Sequence, residues 1–318
     1  MANKKTLKSA IIGNWQRNGI FFILIVIFIL SSIFVNGFFT QANLTNVLRQ
    51  ITVVTVLALG ATFVIILGHI NVAYGSEIAL IGCVTCSVMV STNNVFLALL
   101  AGIFLGLIIG AATGFIITKF DIPAFIMTLA VTTVARGSVL LFTNAYPITG
   151  MGKTFAFIGQ GYVGFIPVSV LILIILFCIA WTLLNKTAFG RHLYAVGGNI
   201  NAAVASGIKA KTVVIKAFVL DGFMAAIAGI VLMSRLNSGQ PAAGVSYEFD
   251  AITAVVVGGT SLSGGSGSIV GTIIGAIIVG IINNVQNLLN INAYWQQIIK
   301  GLIILFAVIA DITAKRKR

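Results

Sequence analysis

The chain has 318 residues, of which 59% are hydrophobic and only 8% are charged. Soluble globular domains carry about 25% charged residues, so the composition excludes an ordinary soluble enzyme, and the high hydrophobicity excludes intrinsic disorder. The formal net charge of +13 does not indicate a nucleic-acid partner. The basic residues lie at the ends of apolar segments, as they do in proteins oriented across a lipid bilayer.

Apolar segments of roughly 20 residues predict an all-α polytopic membrane protein with a single transmembrane domain over residues 1–318. The first segment follows four basic residues but precedes no small-residue cleavage site, so we expect a retained span. An alternative layout joins the second and third segments into one broken element. The ten predicted segments are 19–36, 51–67, 77–92, 95–118, 123–143, 166–184, 217–234, 249–262, 269–289 and 293–310.

The basic residues predict the orientation of these segments. With the N-terminus in the cytoplasm, fourteen of the 19 Lys and Arg residues fall inside, and Arg49, Lys153 and Arg235 fall outside. This asymmetry predicts that both termini are cytoplasmic. Arg136 and Lys300 remain within spans, where charge is costly and usually faces a cavity or a partner. Two interpretations stay open for them: a packed structural pair or dimer contact, and a place on the translocation pathway.

A polar break occurs twice along the chain. Residues 64–76 read VIILGHINVAYGS and residues 254–266 read AVVVGGTSLSGGS, and a constant offset aligns Gly68 with Gly258. Paired breaks between apolar spans predict a parallel duplication whose breaks line a translocation pathway, whereas the alternative is two ordinary loops. The candidate pathway residues are His69, Asn71, Tyr74, Ser76, Thr260, Ser261 and Ser263.

The sequence contains no catalytic, cofactor-binding or metal-binding pattern. Cys83 and Cys86 lack a second cysteine pair or a nearby histidine, so they do not complete a zinc site. No GxxxxGK[ST] loop is present, so the energy for any active transport must come from a partner or from an ion gradient. All six acidic residues can be placed at span ends or in loops, which argues against an ion-coupled transporter. We expect Glu77, Glu248 and Asp250 at helix N-termini, where negative charge is favourable.

The longest cytoplasmic connection, residues 185–216, predicts a short helix over 200–206. Asn199 can cap its N-terminus and Gly207 can end it in a left-handed conformation. A helix this short is unstable alone in water, so it is a candidate for docking into a partner's groove. A structured loop on the bilayer surface is the alternative.

Three stretches resemble ribose-type sugar ABC importer permeases of the branched-chain amino acid/ribose permease superfamily. They are AVGGNINAAVASGI at 195–208, YEFDAITAVVVGGTSLSGG at 247–265, and the motif around Pro123, Thr128 and Arg136. The resemblance implies a multi-pass permease of the bacterial cytoplasmic membrane, working as a homodimer or as a heterodimer with a related permease. It also implies a cytosolic ATPase, which uses the ATP, and an extracytoplasmic sugar-binding protein as partners. The implied contacts with the ATPase are Asn199, Ala202, Ala203, Ser206, Gly207 and Ile208.

The first break departs from the GGIDLSVGS pattern of that family. His69 stands where a glycine is usual, Asn71 replaces an acidic residue, and Tyr74 adds an aromatic ring. Asn and His remain suitable partners for hydroxyl groups, so the difference bears on which solute is carried. A pentose or related simple sugar is expected; a polyol, a nucleoside or a sugar-like signal molecule is the alternative solute. An ion-coupled secondary transporter and a non-transporting scaffold or receptor are the alternative classes.

Overall fold

The computed structural model describes residues 19–316, which fold almost entirely into helices. A two-residue antiparallel pair, β1 (Tyr162–Val163) and β2 (Ile166–Pro167), precedes the seventh helix. The helices are α1 (Gly19–Phe34), α2 (Gln41–Ile66), α3 (Tyr74–Thr92), α4 (Val95–Phe120), α5 (Ala124–Thr143), α6 (Gly152–Gln160), α7 (Val168–Lys186), α8 (Ala188–Gly198), α9 (Ile200–Ala205), α10 (Ala210–Leu236), α11 (Tyr247–Val257), α12 (Ile269–Leu288) and α13 (Ala293–Arg316).

The all-α polytopic fold predicted from the sequence is confirmed. Seven helices of the described region are long and apolar enough to cross a membrane: α2, α3, α4, α5, α7, α10 and α12. Each of the ten predicted segments coincides with a helix, but α1 and α11 are shorter than a typical span. The prediction of ten spans is therefore looser than the prediction of the fold.

Helices α2 and α10 form the centre of the fold. In the most apolar 18-residue stretch of each helix, 89% of the residues of α2 and 78% of those of α10 are buried, compared with only 22% for α4. Helix α4 packs against α10 through glycines, since a Cβ at Gly106 would lie 2.5 Å from the Gly222 carbonyl oxygen. Small residues permit this approach where lipid supplies no hydrophobic driving force between helices.

The connection over 185–216 contains two helices, not one. The predicted short helix is confirmed as α9, because Asn199 Oδ1 accepts from the Ala202 N–H at 3.0 Å and Gly207 adopts φ +83°. Gly197 and Gly198 do not interrupt the chain, since both residues complete α8. Thr187 caps the N-terminus of α8 through Gly190 N–H, a local signal that the sequence analysis missed.

Candidate functional site: two broken helices and the loop that contacts them

The two polar breaks lie against each other. The first separates α2 from α3 and the second separates α11 from α12. The Gly265 N–H donates to the Ile66 carbonyl oxygen at 2.8 Å, which joins the second break to the end of α2. A Cβ at Gly68 would lie 3.5 Å from the Ser263 carbonyl oxygen. Segments almost 200 residues apart in sequence therefore meet backbone to backbone.

Both breaks begin with the same helix-ending motif, and this motif corrects the predicted alignment. In the first break, the Gly68 N–H donates to the carbonyl oxygen of residue 65 and the next N–H donates to that of residue 64. In the second break, the N–H groups of residues 259 and 260 donate in the same way to the carbonyl oxygens of residues 256 and 255. Gly68 and Gly259 have φ of +78° and +87°, a backbone conformation that favours glycine at both positions. The structural partner of Gly68 is thus Gly259. The predicted pairing with Gly258 was wrong by one residue.

One face of α5 holds the backbone of the first break. The three side chains involved are spaced four residues apart: Thr128, Thr132 and Arg136. Thr128 Oγ1 accepts from the N–H of residue 72 at 3.3 Å. Thr128 Oγ1 and Thr132 Oγ1 also lie 3.3 and 3.1 Å from the carbonyl oxygens of residues 70 and 72, although each hydroxyl has a closer carbonyl acceptor within α5. Arg136 Nη2 donates to the carbonyl oxygen of residue 75, in the first turn of α3, at 3.1 Å. The backbone between α2 and α3 therefore finds hydrogen-bond partners inside the protein, as interrupted helices of membrane proteins require.

Arg136 and Lys300 do not bond to each other. The guanidinium of Arg136 also donates to the carbonyl oxygens of Pro241 and Ala243, at 2.6 and 3.1 Å, which ties the first break to the segment before α11. Lys300 Nζ instead lies 2.9 Å from both carboxylate oxygens of Asp250. Each intramembrane cation thus has its own structural partners.

A buried polar cluster lies at the centre of the first break. Asn71, Tyr74, Glu77 and Asp221 are each no more than 3% exposed. Asp221 lies well inside α10, so the prediction that every acidic residue sits at a span end or in a loop was wrong. Glu77 does lie in the first turn of α3, as expected. A lone acid within an apolar span is itself a sequence signal of function, and it identifies Asp221 as a candidate site residue.

The seven candidate pathway residues differ in their exposure. Asn71, Tyr74, Ser76, Thr260 and Ser261 are buried, whereas His69 is half-buried and Ser263 is exposed. His69 packs beside Phe218, with ring centroids 6.2 Å apart. Among the described residues, no group of three or more His, Cys, Asp and Glu side chains could hold a metal ion.

Helix α8 packs against the place where the two breaks meet. A Cβ at Gly197 would lie 1.8 Å from the Ile66 carbonyl oxygen, and one at Gly264 would lie 2.7 Å from the Gly197 carbonyl oxygen. Tyr194 OH donates to the Gly267 carbonyl oxygen at 2.8 Å. Burial raises the pKa of Tyr194, so the phenol keeps the proton that this bond needs. The loop therefore contacts both breaks through closely packed backbone.

The outward face of α9 differs from the one expected. Ala203 is 4% exposed and packs into the core, so its side chain is not available to a partner. Ile200 and Val204, one helical turn apart, are 53% and 55% exposed. Ile208 is half-buried, and the remaining residues predicted to contact the ATPase are exposed: Asn199, Ala202, Ser206 and Gly207.

Comparison with known proteins places this architecture in a family. Residues 43–308 match the family described as branched-chain amino acid transport system / permease component. The chain is 44% identical to the ribose import permease protein RbsC of Haemophilus influenzae over 92% of its own length and 91% of that protein. It is 44% identical to RbsC of Bacillus subtilis, covering 94% of each chain, and 35% identical to the D-allose transport system permease protein AlsC of Escherichia coli, covering 93% and 92%. No solved structure matches. The chain therefore belongs to the family of branched-chain amino acid transport system permease components.

Proposed function

We propose that the chain is the membrane-spanning permease of an ATP-driven importer and that its solute is a pentose or a related simple sugar. Relatives matched over nine-tenths of their length are named ribose, D-allose and xylose permeases, which supports a sugar as the solute. The structural observation that carries the proposal is the junction of the two breaks with α8. Two interrupted helices that meet inside a membrane protein are expected where a solute crosses.

The energy for transport comes from a separate cytosolic ATPase, and an extracytoplasmic binding protein delivers the sugar. The short helix α9 exposes Ile200 and Val204 to solvent, and an apolar pair of this kind suits a groove in a protein partner. Two copies of the permease, or one copy and a related permease, form the membrane unit. In the most apolar 18-residue stretches of α5 and α7, only 17% and 22% of the residues are buried. The remaining surface is available for contact with lipid and with a second copy.

Both termini lie in the cytoplasm in this proposal. The basic residues assigned to the same side of the membrane also lie near each other. Arg235 Nη2 donates to Asn46 Oδ1 at 3.2 Å, close to Arg49. Lys211 Nζ lies 3.9 Å from Asp121 Oδ1, in the connection after α4 that the basic residues assign to the cytoplasm. Each of these contacts joins residues that the charges assign to one side of the membrane, which supports the proposed sidedness.

Thiol labelling in intact cells tests the orientation. Cys83 and Cys86 are buried and Cys178 is exposed, so the background is Cys178→Ser. His192→Cys and Lys153→Cys both place a thiol at an exposed position. A membrane-impermeant maleimide is expected to label the variant at 153 and to label the variant at 192 only after lysis. Labelling at 192 in intact cells would reverse the proposed topology.

Reconstitution of the complex tests the function. The chain is purified with its ATPase and binding protein, and simple sugars are screened for stimulation of ATP hydrolysis and for uptake into vesicles. Stimulated hydrolysis together with ATP-dependent uptake is the expected result. Buried acids such as Glu77 and Asp221 are also expected in an ion-coupled transporter, so they favour that class as the alternative. Uptake by the permease alone, driven by an ion gradient without ATP, would select that alternative class.

Val204→Asp tests whether α9 docks into the ATPase. The substitution places a charge on the exposed apolar face, where burial without a partner costs several kcal/mol. Sugar-stimulated ATP hydrolysis is expected to fall by about tenfold or more while the permease still inserts and melts normally. Val204→Ala is the matched control and should keep most of the coupling. Unchanged stimulation in the Val204→Asp complex would remove the docking role of this face.

A further inference from the structure

We infer that Asp221 is a positioning residue for the first break: from α10 it fixes Asn71 and Tyr74, and through them the start of α3. The inference rests on the proposed function, in which the break belongs to the translocation pathway. Asp221 touches no solute in this role. It acts by holding the side chains from which the polar part of the break is built.

The carboxylate of Asp221 accepts one hydrogen bond on each oxygen. Asn71 Nδ2 donates to Oδ2 at 2.9 Å, and Tyr74 OH donates to Oδ1 at 2.8 Å. All three side chains are buried, at 3%, 0% and 1% exposure for Asn71, Tyr74 and Asp221. Buried donors need acceptors inside the protein, and one ionised carboxylate can satisfy both. Neither Asp221 nor Glu77 forms an ion pair among the described residues, so hydrogen bonds hold this cluster.

The contact reaches the backbone of the break through Asn71. Its Oδ1 accepts from the Ala73 N–H at 2.8 Å, in the turn that leads into α3. The amide group of Asn71 is thus clamped at both ends: its nitrogen is held by α10 and its oxygen by the backbone of the break. Helix α5 contacts the carbonyl groups of the same segment, so Asp221 supplies a second restraint from a different helix, α10.

Helix α2 leaves the space that the carboxylate occupies. A Cβ at Gly60 would lie 2.5 Å from Asp221 Oδ1 and 3.2 Å from its Cα. Any larger residue at 60 would therefore displace the carboxylate or α10. Three helices and the break thus converge on Asp221, a residue that chain order places 150 residues away from Asn71.

Exchanging the side chains of Asn71 and Asp221 provides the sharpest test. Asn71→Asp alone sets two carboxylates against each other and removes the donor at 71. Combined with Asp221→Asn, it trades donor and acceptor: the amide at 221 can donate to the carboxylate at 71 and accept from Tyr74 OH. Glu77 Oε2 lies 3.5 Å from Asn71 Nδ2, so the exchange is also made with Glu77→Gln, whose amide can donate to the new carboxylate.

Conformation of the break is read by a thiol reporter, His69→Cys in the Cys178→Ser background. Sugar uptake is measured in parallel in the same variants with His69 retained, because His69 is itself a candidate pathway residue. Asn71→Asp is expected to raise the labelling rate and lower uptake, each by about tenfold, the effect expected for a lost buried bond to a charged group. The exchange, with or without Glu77→Gln, should return both to within about threefold of the parent. Ser234→Ala is the matched control, since it removes a buried hydroxyl of α10 that accepts from Gly159 N–H and donates to the Phe155 carbonyl oxygen, far along the same helix. It should lower the melting temperature and leave labelling unchanged.

Labelling that stays at the parent rate in Asn71→Asp, or an exchange that restores nothing in either background, would overturn the role of Asp221. If Asn71→Asp does not accumulate in the membrane, accumulation of the exchanged protein supports the inference and its absence opposes it. The labelling readout needs no transport. A complex that retains His69, Asn71 and Asp221 and moves no sugar would therefore refute the proposed function while leaving the role of Asp221 to be decided by labelling and rescue.

Discussion

Replacing Lys300 by methionine is expected to destabilise the protein by about 3–5 kcal/mol, because it leaves the buried Asp250 carboxylate without its counter-charge. Lys300 Nζ lies 2.9 Å from each oxygen of Asp250, and the two side chains are 20% and 7% exposed. Asn283 Nδ2 donates to the same carboxylate at 3.2 Å but carries no charge. The pair fastens α13 to α11, so the variant is expected to melt at a lower temperature in detergent.

An exposed ion pair in the same chain provides the control. Lys211 and Asp121 lie 3.9 Å apart with side chains 66% and 83% exposed, and pairs of this kind contribute little to stability. Lys211→Met should therefore leave the melting temperature unchanged. Adding Asp250→Asn to Lys300→Met removes the orphaned charge and should recover part of the loss. Equal effects of Lys300→Met and Lys211→Met would show that the buried pair is not a structural bond.

The parts of the fold that the sequence predicted are those with local causes. Spans follow from runs of apolar residues, and α9 follows from Asn199 and Gly207, whose capping roles depend on neighbours within four residues. The polar breaks were visible for the same reason, since glycine and polar residues interrupt an apolar run. Family resemblance added partners and a solute class, which composition and spacing alone do not contain.

The errors concern contacts between distant segments. The predicted alignment placed Gly68 opposite Gly258, yet the backbone requires a positive φ at Gly259, which only the helix-ending hydrogen bonds reveal. Ala203 was expected to face a partner, although a six-residue helix presents residues to several sides and packing against α8 selects the buried one. The role of Asp221 was not predicted, because its partners Asn71 and Tyr74 lie about 150 residues earlier, at the break and at the start of α3. No periodicity encodes which helix will lie beside which.

Gly197→Ala is expected to uncouple ATP hydrolysis from sugar movement. An added Cβ at 197 would lie 1.8 Å from the Ile66 carbonyl oxygen and 2.9 Å from Gly265 N, which are backbone atoms of the two broken helices. Backbone cannot move aside as a flexible side chain can, so α8 must shift away from the breaks. Overpacking of this kind costs about 1–3 kcal/mol, and we expect sugar uptake to fall by about tenfold or more.

The adjacent glycine separates this contact from a general effect on the loop. Gly198 ends the same helix, but a Cβ there would meet nothing within 4 Å, so Gly198→Ala should transport at nearly the parental rate. Both variants should bind the ATPase, because α9 begins beyond either position and its cap residue Asn199 is unchanged. The distinguishing result is a Gly197→Ala complex that still hydrolyses ATP but moves little sugar. If the two alanine variants transport equally well, the contact of α8 with Ile66 and Gly265 does not carry the motion from the ATPase to the breaks.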